Sequence, residues 1–130
     1  MNMALQVTTI MLGVEDLARS KKFYAEGLGC TLEQDYPHFV LLKLGEGSSS
    51  LALYQREAAA QDAGVSSEGS GFRAVSFHYI VATREAVDEV MGQAVAAGGA
   101  VVKAAEGAQW GYAAYFSDPD GFLWKVATGA

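Results

Sequence analysis

The chain has 130 residues, 51% of them apolar and 18% charged, with a formal net charge of −6. Such a length makes one domain, or two small halves around a shared core, and the apolar share is enough to fill it. The acidic balance argues against nucleic acid as a partner, because phosphate binding takes patches of Lys and Arg, and no apolar run approaches the roughly 20 residues that span a bilayer, so no membrane partner is expected.

The N-terminus has no basic stretch leading into a long apolar one, so a secretory signal is not expected and the cytoplasm is the expected location. Val7 to Val14 is apolar and β-branched and reads as a strand. Asp16 is placed to cap the helix after it by accepting an orphan backbone N–H. Leu17, Phe23, Tyr24 and Leu28 give that helix an apolar side, and Gly27 and Gly29 end it. Cys30, the single cysteine, follows the helix end; it can make no internal disulfide and is expected to be buried. Thr31 to Leu32, Phe39 to Leu44 and Leu51 to Tyr54 read as three more strands, parted by a Tyr-Pro turn and the Gly-Ser stretch from Gly45 to Ser50.

Glu57 to Gly71 is rich in Ala, Ser, Gly and Gln and reads as a linker with one short helix. The first pattern then returns. Ala74 to Val81 reads as a strand, and Arg84 to Ala97 as a helix whose Val87, Val90, Met91, Ala94 and Val95 form one apolar stripe. Gly98 and Gly99 stop it, and Ala100 to Lys103, Gly111 to Ser117 and Phe122 to Val126 read as strands. The expected organisation is a βαβββ module over residues 1–56, a linker over 57–71 and a second βαβββ module over 72–130, one compact α+β domain built by internal duplication. Neither module can bury both of its faces alone, and two curved sheets meeting edge to edge would leave a concave cleft between them.

Two segments carry a family likeness. Near the start stands Leu12-Gly13-Val14-Glu15-Asp16-Leu17-Ala18-Arg19-Ser20, followed by Phe23-Tyr24 and Leu28-Gly29. Near the end stands Asp118-Pro119-Asp120-Gly121-Phe122-Leu123-Trp124-Lys125, a tight turn running into a strand. The pattern resembles the vicinal oxygen chelate superfamily, which includes glyoxalase I, extradiol dioxygenases and bleomycin resistance proteins. The resemblance implies paired βαβββ modules forming a curved mixed sheet around a ligand cleft, and a homodimer.

The resemblance also says where a metal would sit in the metal-using members: on the first and last strand of each module. Aligned by the motifs, those positions are Thr9, Ala52, Ser76 and Lys125. None offers the imidazole, thiolate or carboxylate that a transition metal wants, and the ammonium of Lys125 repels a divalent cation. No metal and no other cofactor is therefore expected. His78 follows Ser76 by two residues and so shares its face; it reads either as a polar contact or base in the cleft or as a histidine satisfied by its neighbours. His38, beside Pro37 in a turn, reads as surface. Lys125 reads as a snorkelling side chain, as the partner of an acid, or as a desolvated base or anion contact. Tyr54 shares the face of Ala52, and Trp110 and Tyr112 share a face of the strand they open, while Trp124 should turn to the helix side opposite Lys125. The expected ligand-binding set is Thr9, Tyr54, Ser76, His78, Trp110, Tyr112 and Lys125, with Lys125 and His78 the catalytic candidates. The expected function is metal-free binding of a planar or aromatic organic molecule, as in bleomycin-resistance-type drug-sequestering proteins. The alternative is an enzyme: a glyoxalase I-like lyase or a dioxygenase, or a metal-free isomerase or lyase using Lys125 and His78.

Overall fold

A computed structural model describes residues 6–69, 73, 75–109 and 111–130. The first half runs β1 (Thr9–Val14), α1 (Leu17–Lys21) continuing as a π-helical turn (Lys22–Gly27), β2 (Thr31–Tyr36), β3 (Phe39–Lys43) and β4 (Ser50–Gln55). The helix α2 (Arg56–Ala63) follows at once, occupying the start of the segment whose composition suggests a linker. The second half runs β5 (Ser76–Ile80), α3 (Arg84–Ala96), β6 (Ala100–Ala108), β7 (Gly111–Ser117) and β8 (Leu123–Thr128). Among the described residues no helix is long and apolar enough to cross a membrane.

The strands make two four-stranded mixed sheets with the same layout, β1-β4-β3-β2 and β5-β8-β7-β6. In each, the first strand lies parallel to the last and the other neighbours are antiparallel. No ladder joins the two sheets among the described residues; the halves meet where α3 packs on the π-helical turn and where the turn before β8 bonds to the first half. One core fills the space between. It combines Leu12, Val14, Phe23, Tyr24, Val40 and Leu53 of the first half with Val87, Met91, Ala94, Phe116 and Val126 of the second. On the strands, Leu12, Val14, Val40, Leu53, Phe116 and Val126 are the residues that alternation turns away from Thr9 and Lys125, so the faces carrying the expected site look away from the helices.

Local chemistry explains the helix ends. Asp16 caps α1 by accepting from the Arg19 N–H at 3.0 Å, and the Thr83 hydroxyl caps α3 by accepting from the Ala86 N–H at 3.0 Å. At the end of the π-helical turn the chain comes so close to α3 that a Cβ on Gly27 would overlap the Ala97 methyl. Gly111 opens β7 at φ +141°, where a Cβ would overlap the Thr128 carbonyl oxygen, so only glycine fits.

The family-like turn is the joint between the halves. Tyr24 and Asp118 are both buried, and the Tyr24 hydroxyl donates to Asp118 Oδ2 at 2.7 Å while accepting from Trp124 Nε1 at 3.1 Å. Asp118 Oδ1 accepts from the backbone N–H groups of Asp120 and Phe122, each at 2.9 Å. Asp120 reaches the other way: it accepts from the Glu15 N–H at 2.9 Å, the Ser20 hydroxyl at 3.0 Å and Arg19 Nη2 at 3.3 Å. Burial pushes the Asp118 carboxyl above its ordinary range, against the bonds from Tyr24, Phe122 and Asp120 that favour its charge. Burial, then the Asp118 charge, pushes the Tyr24 hydroxyl well up. Strand β8, and with it Lys125, leaves directly from this pinned turn.

Candidate functional site

The outer face of the second sheet is ordered in rows that cross its strands. One row is Lys103, Tyr115, Lys125 and His78, each directly opposite the next on a neighbouring strand. The next row is Glu106, Ala113, Ala127 and Ile80. A cavity of about 350 Å³ opens here, lined by Lys103, Glu106, Gly107, Ala108, Ala113, Tyr115 and Lys125. The Lys125 Nζ stands 5.9 Å from the centre of the Tyr115 ring, within cation–π range. Ser76 Oγ and His78 Nε2 lie 3.1 Å apart, a hydrogen bond whose direction depends on the imidazole tautomer.

Two backbone irregularities build this surface. The register between β6 and β7 shifts between Val101 and Lys103 and again between Lys103 and Glu106. In a regular strand, residues three apart point to opposite faces. The second shift instead sets Lys103 opposite Tyr115 and Glu106 opposite Ala113, partners two apart on β7 that share one face. Both charged side chains thus face the cavity. Strict alternation from the sequence does not reveal this, and neither Lys103 nor Glu106 stands out in the sequence.

The expected site residues divide between the two sheets. Ser76, His78 and Lys125 share the outer face of the second sheet. Thr9, Ala52 and Tyr54 lie on the outer face of the first, where Thr9 pairs with Ser50, Met11 with Ala52 and Gly13 with Tyr54. Tyr54 makes an edge-to-face pair with Phe39, ring centres 6.1 Å apart. A polar cavity of about 410 Å³ lies beside the start of α2, lined by Glu15, Gln55, Arg56, Glu57, Ser67, Glu68 and Gly69.

Tyr112 parts from the set. It stands on the helix-facing side of β7 with Ala114 and Phe116, its hydroxyl donates to Asp88 of α3 at 2.8 Å, and the Arg84 guanidinium lies over its ring. The hydrogen bond to Asp88 pushes the Tyr112 hydroxyl up. The reason is parity: position 112 is an odd number of residues from Tyr115, so the two rings take opposite faces. Trp110 lies outside the described residues. Trp124 faces the core, where it packs against Phe77, Phe116 and Tyr24. Cys30 is half-buried, and burial raises its thiol.

The divalent metal that the resemblance implies for these positions does not fit the residues present. Thr9 and Ser76 offer neutral hydroxyls, Ala52 a methyl and Lys125 a cation. Among the described residues no group of three or more His, Cys, Asp and Glu side chains could hold a metal ion.

The fold and its motifs have clear counterparts. A glyoxalase-related enzyme from Fulvimarina pelagi is 29% identical, with a TM-score of 0.85 over 96% of this chain and 88% of that one. A glyoxalase/bleomycin resistance protein/dioxygenase family enzyme from Burkholderia phytofirmans PsJN is 25% identical, with a TM-score of 0.81 over 97% of this chain and 100% of that one. A lactoylglutathione lyase from Agrobacterium tumefaciens shares the fold at 18% identity and a TM-score of 0.67, over 95% of this chain and 93% of that one. A comparison with curated proteins finds no match. The family model for the Glyoxalase/Bleomycin resistance protein/Dioxygenase superfamily matches residues 6–126, and the chain belongs to that superfamily.

Proposed function

We propose that the protein binds a planar organic molecule on the outer face of its second sheet, without a metal, as drug-sequestering proteins do. The observation that carries this reading is the cavity over Tyr115, walled by Lys103, Glu106 and Lys125, on a face whose metal positions hold Ser76 and Lys125. A flat aromatic beside small Ala113 suits a flat ligand, and the few charged groups at its rim suit orientation more than bond-making. A dimer belongs to this reading. Met11, Tyr79, Ile80, Val101 and Val102 are exposed on strands of both sheets, and a second copy would cover them and wall the open cavities. Light scattering at micromolar concentration checks the dimer.

The binding test is a titration with aromatic glycopeptide and polyketide antibiotics, read by thermal shift and by amide chemical shifts of β7 and β8. Stabilisation with shifts confined to those strands is the expected result. No stabilisation by any of them sinks the reading.

One observation favours a second reading, a metal-free isomerase or lyase. His78 is directly opposite Lys125 in the ladder and is hydrogen-bonded to Ser76, which puts a titratable base beside a cation on one face. In that case Lys125→Met abolishes turnover of the substrate found by screening; unchanged turnover rejects it.

A further inference from the structure

We infer that the ligand of the second-sheet cavity is an aromatic carboxylate, an inference that rests on the binding function proposed above. The chain as a whole is acidic, with a net charge of −6, and on that ground alone a cationic ligand would be favoured. The cavity has the opposite character. Lys103 and Lys125 flank Tyr115 on its two neighbouring strands, and His78 continues the same row beyond Lys125. Neighbouring strands lie about 4.8 Å apart, so the two lysine stems start about 10 Å from each other with the tyrosine ring between them. The two lysines put positive charge on both sides of one ring, the Lys125 ammonium 5.9 Å from its centre, and so favour an anion there. A carboxylate there accepts from both.

The adjoining row supplies the rest of the recognition. Ala113 and Ala127 sit side by side, one residue pair along from Tyr115 and Lys125; Ala127 is buried, and the Ala113 methyl lines the cavity as a shallow apolar floor. An aromatic body whose carboxylate sits between the lysines lies over that floor, against the Tyr115 ring. Glu106 stands at the end of the alanine row opposite Ala113, placed to accept from a hydroxyl on the ligand and to reject a second anionic group there. The site thus selects one negative charge at one end of a flat apolar molecule.

The test uses the intact protein and three matched probes: 1-naphthoate, its neutral amide and 1-naphthylmethylamine, titrated at low salt by calorimetry. The acid should bind about tenfold tighter than the amide, the scale expected of two solvent-facing charge contacts, and added salt should narrow the gap. Lys125→Met and Lys103→Met should each cut the acid–amide ratio to about threefold, the share of the one contact that remains. Lys103 is exposed, so its variant keeps the test valid if Lys125→Met fails to fold. Glu106→Gln should strengthen binding of the acid. Equal binding of acid and amide, or tighter binding of the amine, overturns the anion inference and leaves ligand binding standing. Equal displacement of the acid by inorganic phosphate overturns the aromatic part. Binding of none of the three probes overturns both the inference and the function on which it rests.

Discussion

Replacing Tyr24 with phenylalanine deletes a single oxygen from the joint between the two halves. The Tyr24 ring is 1% exposed and Asp118 is 3% exposed, so water does not take the place of the lost hydroxyl. The hydroxyl donates to the carboxylate at 2.7 Å, and a bond to a charged acceptor is worth about 1.5–3 kcal/mol. It also accepts from Trp124 Nε1; that residue is half-buried, so the orphaned N–H adds up to about 1 kcal/mol. The sum is about 2–4 kcal/mol. With an unfolding entropy near 2.1 cal/mol/K for each residue, the midpoint of thermal unfolding falls by about 10 °C. Urea unfolding followed by circular dichroism at pH 7 measures the loss directly, with an unchanged urea dependence expected because no core surface changes. The pH dependence is the sharper check. The Tyr24 bond favours the ionised carboxylate, so the penalty of Tyr24→Phe is greatest at neutral pH and shrinks as the pH falls through the raised range of Asp118. A loss below about 0.5 kcal/mol at pH 7 would show that the joint contributes nothing beyond ordinary packing and refute the reasoning.

Asp118→Asn probes the same joint through linkage. Burial holds the native carboxyl above its ordinary value of 3.8, so the folded chain keeps its proton where the unfolded chain has lost it. That contribution is fully present at low pH and is lost as the pH rises through the native range; in Asp118→Asn this falling component is absent from stability measured between about pH 4 and 7. Gly27→Ala drives a methyl into Ala97 and should cost about 1–3 kcal/mol in urea unfolding, with more than half recovered in Gly27→Ala/Ala97→Gly. Adding Zn²⁺, Ni²⁺ or Mn²⁺ at tenfold excess should leave the thermal midpoint within about 1 °C, because ligation by Ser76, Lys125 and a lone His78 is too weak to stabilise the fold; a rise of several degrees refutes the donor argument.

The duplicated architecture is legible in the sequence because buried faces write themselves as periodicity. The apolar stripe of α3 and the inward residues of β1, β4, β7 and β8 are of this kind. The two strands whose extent the sequence understates are exposed along nearly their whole length. Composition suggests only Thr31 to Leu32 for β2, which runs to Tyr36, and Ala100 to Lys103 for β6, which runs to Ala108. Edge strands exposed along most of their length carry polar and small residues in no fixed alternation, so nothing in Glu33-Gln34-Asp35 or Ala104-Ala105-Glu106 separates strand from loop.

The same blindness governs the site. Lys125, Ser76 and His78 are readable because β5 and β8 pair without irregularity and the family motif fixes their parity. Lys103 and Glu106 are not, because their side depends on the shift between them, which is a property of the partner strand and not of the residues themselves. That dependence makes the bulge part of the site. Deleting one residue between Lys103 and Glu106, Ala104 or Ala105, restores a two-residue spacing and keeps both on one face only if the bulge disappears with it. If the bulge persists, the deletion turns Glu106 inward toward α3, where a carboxylate meets the apolar core and the fold loses stability. A deletion variant that stays as stable as the parent and binds naphthoate equally well therefore shows that the charged rim of the cavity depends on spacing along β6 and not on the irregularity that now supplies it.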